Sequence, residues 1–183
     1  MSESTDPEQT HERRDDKNPD RKGPTAWDSA LRLLGVRARS RQEMRERLTR
    51  KGFDADTVDD VMERLDRHQL IDDADFASEW VRSRSRNSGR GRVALRHELR
   101  TKGIDESIIG DVLADIDPDA EREIAAGLVD RKLTASTVER IAADRTEHEK
   151  AKRRLVGMLV RRGYSQSLAF DVVGEALSAL RSG

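Results

Sequence analysis

The sequence predicts an all-α protein of three tandem three-helix repeats in an elongated array. Three observations carry this. A helix–turn–helix pattern occurs three times: Met44-x-x-x-Leu48-x-x-Lys51-Gly52-Phe53-Asp54 with Val58 and Val61; Leu95-x-x-x-Leu99-x-x-Lys102-Gly103-Ile104-Asp105 with Ile109 and Val112; and Leu155-x-x-x-Leu159-x-x-Arg162-Gly163-Tyr164-Ser165 with Ala169 and Val172. The copies lie 51 and 60 residues apart, measured between Leu48, Leu99 and Leu159. Self-similarity at such a period marks stacked units that bury their apolar stripes against neighbours. The composition agrees, because 34% hydrophobic against 39% charged residues is too lean for one large core. Finally, no alternating apolar–polar stretch of useful length suggests a strand.

Residues 1–25 hold no apolar side chain after Met1 and three prolines (Pro7, Pro19, Pro24). Such a segment cannot bury enough surface to offset its ordering entropy, so a disordered polar tail is expected. The first repeat spans 26–70. Trp27, Ala30, Leu31 and Leu34 give its first helix an amphipathic face. Ser40-Arg41-Gln42-Glu43 reads as a capping box opening the second helix. Gly52 supplies the left-handed residue that closes it, with Phe53 as the apolar staple. Asp54 caps the third helix, which carries Val58, Val61, Met62 and Leu65.

The second repeat spans 71–117. Asp72 or Asp73 caps a helix with the stripe Phe76, Ala77, Trp80 and Val81. Asn87–Arg92 reads as a flexible loop, and helices over about 92–102 and 106–116 follow. The third repeat spans 118–183. Asp117-Pro118 opens a helix with Ile124, Ala125, Leu128 and Val129. A long connection over 134–146 then precedes helices at about 147–162 and 166–180. Trp27, Phe53, Phe76, Trp80 and Tyr164 all fit core or staple positions.

Cysteine is absent, which excludes disulfides and suits a cytoplasmic location. No apolar run is long enough for a membrane span. No phosphate loop, HExxH, GxSxG or metal-ligand spacing occurs, so neither catalytic residues nor a metal or cofactor is expected. The four histidines (His11, His68, His97, His148) are scattered through the chain.

Net charge is only −1, yet charge is strongly segregated. Residues 26–52 carry +5, 53–75 carry −7, 76–103 carry +6, 104–123 carry −7 and 148–163 carry +5. If equivalent helices align, a basic surface results. Two basic positions hold in every copy: Arg41, Arg92 and Lys152 at the start of the middle helix, and Lys51, Lys102 and Arg162 before the turn glycine. An acid recurs at Asp60, Asp111 and Asp171. Cations at a helix end and anions at a helix start complement the helix dipole. Arg41, Arg92 and Lys152 sit at the wrong end for that, so they are candidate contacts to an anionic partner. Arg37, Arg39, Arg45, Arg90, Arg96, Arg153 and Arg154 crowd around them and complete the candidate interface; a solvated charged face is the alternative. Gly89-Arg90-Gly91-Arg92 could also wrap phosphate through backbone N–H groups and guanidinium forks, although a solvated linker is the favoured expectation. Gly52, Gly103 and Gly163 are expected to be structural turns only. A DNA-reading helix after the turn is disfavoured, because Asp56, Asp59, Asp60 and Glu63 would face phosphates.

The three Leu-x-x-[Lys/Arg]-Gly-Φ turns, the stretch Leu70-Ile71-Asp72-Asp73-x-x-Phe76-Ala77-x-x-Trp80-Val81-x-x-Arg84, and Glu98-Leu99-x-x-Lys102-Gly103-Ile104 resemble the RecX family, the small bacterial regulators of the RecA recombinase. The resemblance covers about residues 26–180. Arg161-Arg162-Gly163-Tyr164 is similar to the family's third turn, where phenylalanine is commoner than tyrosine; Gly157, Val156 and Val160 depart from it. The resemblance implies curved tandem three-helix repeats and a monomer that binds along the groove of a RecA–DNA filament, touching the DNA backbone. It implies modulation, usually inhibition, of RecA ATP hydrolysis and strand exchange, without chemistry of its own, in DNA repair, recombination and the SOS response. A stand-alone helical nucleic-acid-binding regulator is the other expectation.

Overall fold

The structure, a computed structural model, describes residues 23–182. Most of the tail expected to be disordered lies outside the described residues. All regular structure among the described residues is helical. The elements are α1 (Ala26–Val36), α2 (Arg41–Arg50), α3 (Ala55–Arg67), α4 (Asp73–Ser88), α5 (Arg92–Thr101), α6 (Glu106–Ala114), α7 (Pro118–Asp130), α8 (Ala135–Ala143), α9 (Arg145–Arg161) and α10 (Gln166–Ser182). The chain forms two compact units. The first runs to Phe76 and takes in Lys102–Ile104; the second comprises Ala77–Thr101 and the chain from Asp105 onward.

In the first unit, Ala26, Ala30, Met44, Leu48, Phe53, Val58, Val61, Met62, Leu65 and Ile71 form one apolar cluster. These are the apolar stripes of α1–α3 turned inward. Thr25 and Asp28 form a complete capping box on α1. The box expected at Ser40 is only half made. Ser40 Oγ accepts from Glu43 N (3.2 Å), but the Glu43 carboxylate turns instead to Arg37 and Lys102. Trp27 is half-buried rather than core, with the Arg64 guanidinium 4.0 Å over its ring.

The second unit is centred on a larger cluster from α7–α10, including Leu128, Val129, Ile141, Leu155, Leu159, Tyr164, Val173 and Leu177. Here the structure departs from the sequence expectation. The segment 134–146 is not a long connection; it folds as α8 and lengthens α9. Asp144 ends α8 and caps α9, accepting from Thr146 N at 2.7 Å. The last segment therefore has four helices, not three. Likewise Asn87–Arg92 is not a flexible loop. Helix α4 continues through Ser88, leaving three residues before α5.

Two of the three glycine turns close their helices in the same way. Gly52 N donates to Thr49 O (2.9 Å) and Phe53 N to Leu48 O (3.4 Å); Gly163 N donates to Val160 O (2.9 Å) and Tyr164 N to Leu159 O (3.2 Å). This pairing satisfies carbonyls that the helix end leaves open. It needs a left-handed residue, and Gly52, Gly103 and Gly163 have φ of 86°, 72° and 89°. Asp54, Asp105 and Ser165 then cap the following helices. Asp60, Asp111 and Asp171 are each the sixth residue of their helix, beyond the first turn where the dipole would reward them.

Candidate nucleic-acid and partner interface

The turns of the second and third copies are packed against other elements. In the first unit, Ser40 Oγ donates to Lys102 O (2.7 Å), and a Cβ at Gly103 would overlap Gln42. In the second unit, Gly91 N donates to Arg162 O (3.0 Å) and Val93 N to Gly163 O (2.9 Å). A Cβ at Gly163 would overlap Ala94, whereas a Cβ at Gly52 would meet nothing within 4 Å. Each packed turn therefore sits on the first turn of an upstream helix, α2 or α5.

The same helix starts receive a carboxylate. Arg41 N donates to Asp73 Oδ1 (2.9 Å), and Arg92 N donates to Glu121 Oε1 (3.0 Å). An anion beside the open amides of a helix start is favourable. It also supplies what the sequence left unexplained: a reason for a cation there. Arg92 Nε lies 2.9 Å from Glu121 Oε2, too oblique for a hydrogen bond, and its Nη2 donates to Ile116 O (2.5 Å). Arg41 pairs with Asp66, Nη1 to Oδ2 at 2.7 Å. Lys152 does not share this position. It is the eighth residue of α9, two turns past the helix start at Arg145.

The other candidate contacts divide in the same manner. Arg37 forms a bidentate pair with Glu43 (2.9 Å for both bonds), and Lys102 Nζ adds a third at 2.6 Å. The hydrogen bond from Arg37 chiefly, joined by that from Lys102, holds the Glu43 carboxyl down at about 2 against the opposing effect of burial. Arg45 pairs with Asp59 and Arg96 with Glu106. Arg90 Nε lies 3.2 Å from Glu98, which Arg84 also grips through Nε (2.8 Å) and Nη2 (2.9 Å). Hydrogen bonding to Arg84 is the main cause that lowers the Glu98 pKa.

Arg39 cannot be a surface contact. It is 7% exposed, with Nε donating to Leu33 O (3.1 Å) at the open C-terminal end of α1. Burial lowers its pKa, and the neighbouring Arg37 adds to the effect. Lys152, Arg153 and Arg154 have no ion-pair partner among the described residues, and Arg153 and Arg154 are exposed. The alternating charge blocks thus serve the fold to a large extent. Basic α2 pairs with acidic α3, and basic α5 with the start of α6.

Backbone wrapping of phosphate by Gly89-Arg90-Gly91-Arg92 is ruled out. The amides of all four are already used, by Ser85 O, Arg84 O, Arg162 O and Glu121 Oε1. Trp80 donates Nε1 to Glu98 (2.9 Å) and is half-buried, so it is a hydrogen-bonded wall rather than core. Sequence reasoning missed Arg84, Arg161 and Arg162 as companions of Arg90; all four line one cleft. The repeated Arg162 was marked, but only helix packing brings it to Arg84 and Arg90.

The fold and these surfaces define an all-helical protein of short helical units in which most of the candidate arginines pair with carboxylates of the same chain. No helix among the described residues is long and apolar enough to cross a membrane. Residues 26–65 match the model of the first three-helix domain of RecX, and residues 72–113 that of the second. The regulatory protein RecX of Mycolicibacterium smegmatis is 48% identical over 88% of this chain and 85% of its own length. That of Mycobacterium avium is 48% identical over 82% of this chain and 84% of its own. The crystal structure of RecX from Lactobacillus salivarius superposes with a TM-score of 0.71, over 84% of this chain and 95% of that one, at 22% identity. The chain belongs to the RecX family of regulatory proteins.

Proposed function

We propose that this protein regulates the RecA recombinase by binding along RecA–DNA filaments, and that binding lowers ATP hydrolysis and strand exchange in DNA repair and recombination. The observation that carries this is its 48% identity, across most of its length, to proteins named regulatory protein RecX. The regulator acts as a cytoplasmic monomer and by occupancy, not by chemistry of its own. Arg41, Arg92, Arg37, Arg45 and Arg96 are committed to internal carboxylates. Lys152, Arg153 and Arg154 are therefore the candidate cations most available to filament or DNA backbone.

Titration of the full chain into a RecA ATPase assay on single-stranded DNA tests the proposal. ATP hydrolysis and strand exchange should fall as the protein approaches stoichiometry with RecA. Unchanged ATPase, filament length and strand exchange at stoichiometric protein refute it. Changing Lys152, Arg153 and Arg154 together to Glu should weaken modulation without loss of helicity, since no internal pair is broken.

A further inference from the structure

Arg84, Arg90, Arg161 and Arg162 line an open cleft of about 530 Å³ in the second unit, with Ser88 and Met158 completing the wall. Among the described residues, the carboxylate paired with these four guanidinium groups is Glu98, held by Arg84 and Arg90. Arg162 Nη1 donates to Ser88 O at 3.0 Å. Arg161 is exposed, with no ion pair among the described residues.

Helix-end electrostatics accounts for part of this crowding. The cleft lies where α4 and α9 both end, and each C-terminus presents roughly half a negative charge. With Glu98, these ends leave an excess of about two positive charges on four converging arginines. Like charges held close together repel even where water reaches them, so the arrangement favours an anion there. The donors still open are the Nη groups of Arg90, the remaining nitrogens of Arg162, and Arg161. Guanidinium forks of this kind match phosphate oxygens.

We propose that this cleft binds the sugar–phosphate backbone of a DNA strand, taking two consecutive phosphates. Among the described residues that line it, Met158 is the one apolar side chain and none is aromatic; the nearby Trp80 ring is turned to Arg84 and Glu98, so the lining offers no stacking platform for bases. Recognition there is independent of sequence. The inference deepens the filament proposal by assigning the DNA-contacting part of the surface, but it is testable without RecA.

The probe is a labelled oligothymidine, titrated with full-length wild type and with an Arg90→Gln/Arg161→Gln variant. Those substitutions leave the Arg84–Glu98 pair and the Arg162–Ser88 bond in place. Loss of two phosphate contacts on single-stranded DNA should reduce the slope of log affinity against log salt by about 1.4, and weaken binding roughly tenfold or more at low salt. Circular dichroism and the urea midpoint establish that the variant is folded. An unchanged slope and affinity in the folded variant, or no binding of oligothymidine by wild type, overturns the inference. So does a variant that binds oligothymidine normally yet no longer associates with RecA filaments, which would assign the cleft to an acidic protein surface. Failure of the filament proposal is separate: wild type would leave RecA ATPase untouched while the oligothymidine slope still dropped in the variant.

Discussion

Three glycines share one backbone conformation but not one environment, and this separates two roles that the sequence superimposes. Gly52 and Gly163 have φ of 86° and 89°. An alanine at either must adopt a left-handed conformation, costing about 1–2 kcal/mol, less the roughly 0.4–1 kcal/mol gained by stiffening the unfolded chain. At Gly52 nothing lies within 4 Å of the new Cβ, so Gly52→Ala should cost about 1 kcal/mol in all. At Gly163 the new Cβ overlaps the Ala94 backbone, which cannot swing away like a side chain. Relieving that overlap costs about 1–3 kcal/mol. It also pulls the turn off Gly91 N and Val93 N, at about 0.5–1.5 kcal/mol for each hydrogen bond. Gly163→Ala should therefore lose about 3–7 kcal/mol. Urea unfolding followed by helical circular dichroism, with m-values compared, measures both. Equal losses for the two variants would mean that packing of the Gly163 turn on α5 contributes nothing to stability.

Other outcomes follow from the charged and buried groups. Glu43 lies at about 2 in the folded protein against an ordinary 4.5, so its contribution is complete above about 4.5 and is lost as pH falls toward 2. Glu43→Gln should flatten the pH dependence of the urea midpoint across that interval; a variant whose acid sensitivity matches wild type contradicts the Arg37–Glu43–Lys102 cluster. Tyr164 is 2% exposed, its hydroxyl has no hydrogen-bond partner among the described residues, and burial pushes it up to about 12. Tyr164→Phe should leave stability unchanged or raise it by up to about 1 kcal/mol, and a fall of that size would reveal a partner for the hydroxyl. Arg39→Ala removes the donor to Leu33 O and opens a gap, so it should cost about 1–3 kcal/mol while leaving RecA modulation per folded molecule unchanged. Impaired modulation by a fully folded Arg39→Ala protein would restore Arg39 as a contact residue.

Helix periodicity made most of the fold legible. Stripes such as Met44–Leu48 and Leu95–Leu99 point inward as their spacing requires, and the glycine turns end α2 and α9 with the bonds their sequences imply. Helix α8 is hard to read from sequence because it is short, its Thr134 N-cap makes no side-chain capping bond, and three of its five apolar side chains are alanines, which give a weak stripe. The surface was less legible for a different reason. A basic block and an acidic block look like two faces until one knows whether they meet. Arg41 finds Asp66 and Arg92 finds Glu121 across separations of 25 and 29 residues, distances at which no local periodicity speaks. Arg39, surrounded in sequence by solvent-facing arginines, is buried because the open end of α1 needs a donor. The cleft at Arg84, Arg90, Arg161 and Arg162 joins residues from two chain segments, and only Arg90 and Arg162 had been marked by the sequence.

The carboxylates and carbonyls that close the starts of α2 and α5 all come from later in the chain: Asp73 and Lys102 for one, Glu121 and Gly163 for the other. On the ribosome, each of these helices emerges before the groups that complete it. A nascent chain stalled just after α6 would hold α5 with its leading amides bare, and such frayed ends are where proteases cut. A chain that stops short thereby lacks the acceptors that complete α5, a deficit removed once α7 and the Gly163 turn have formed.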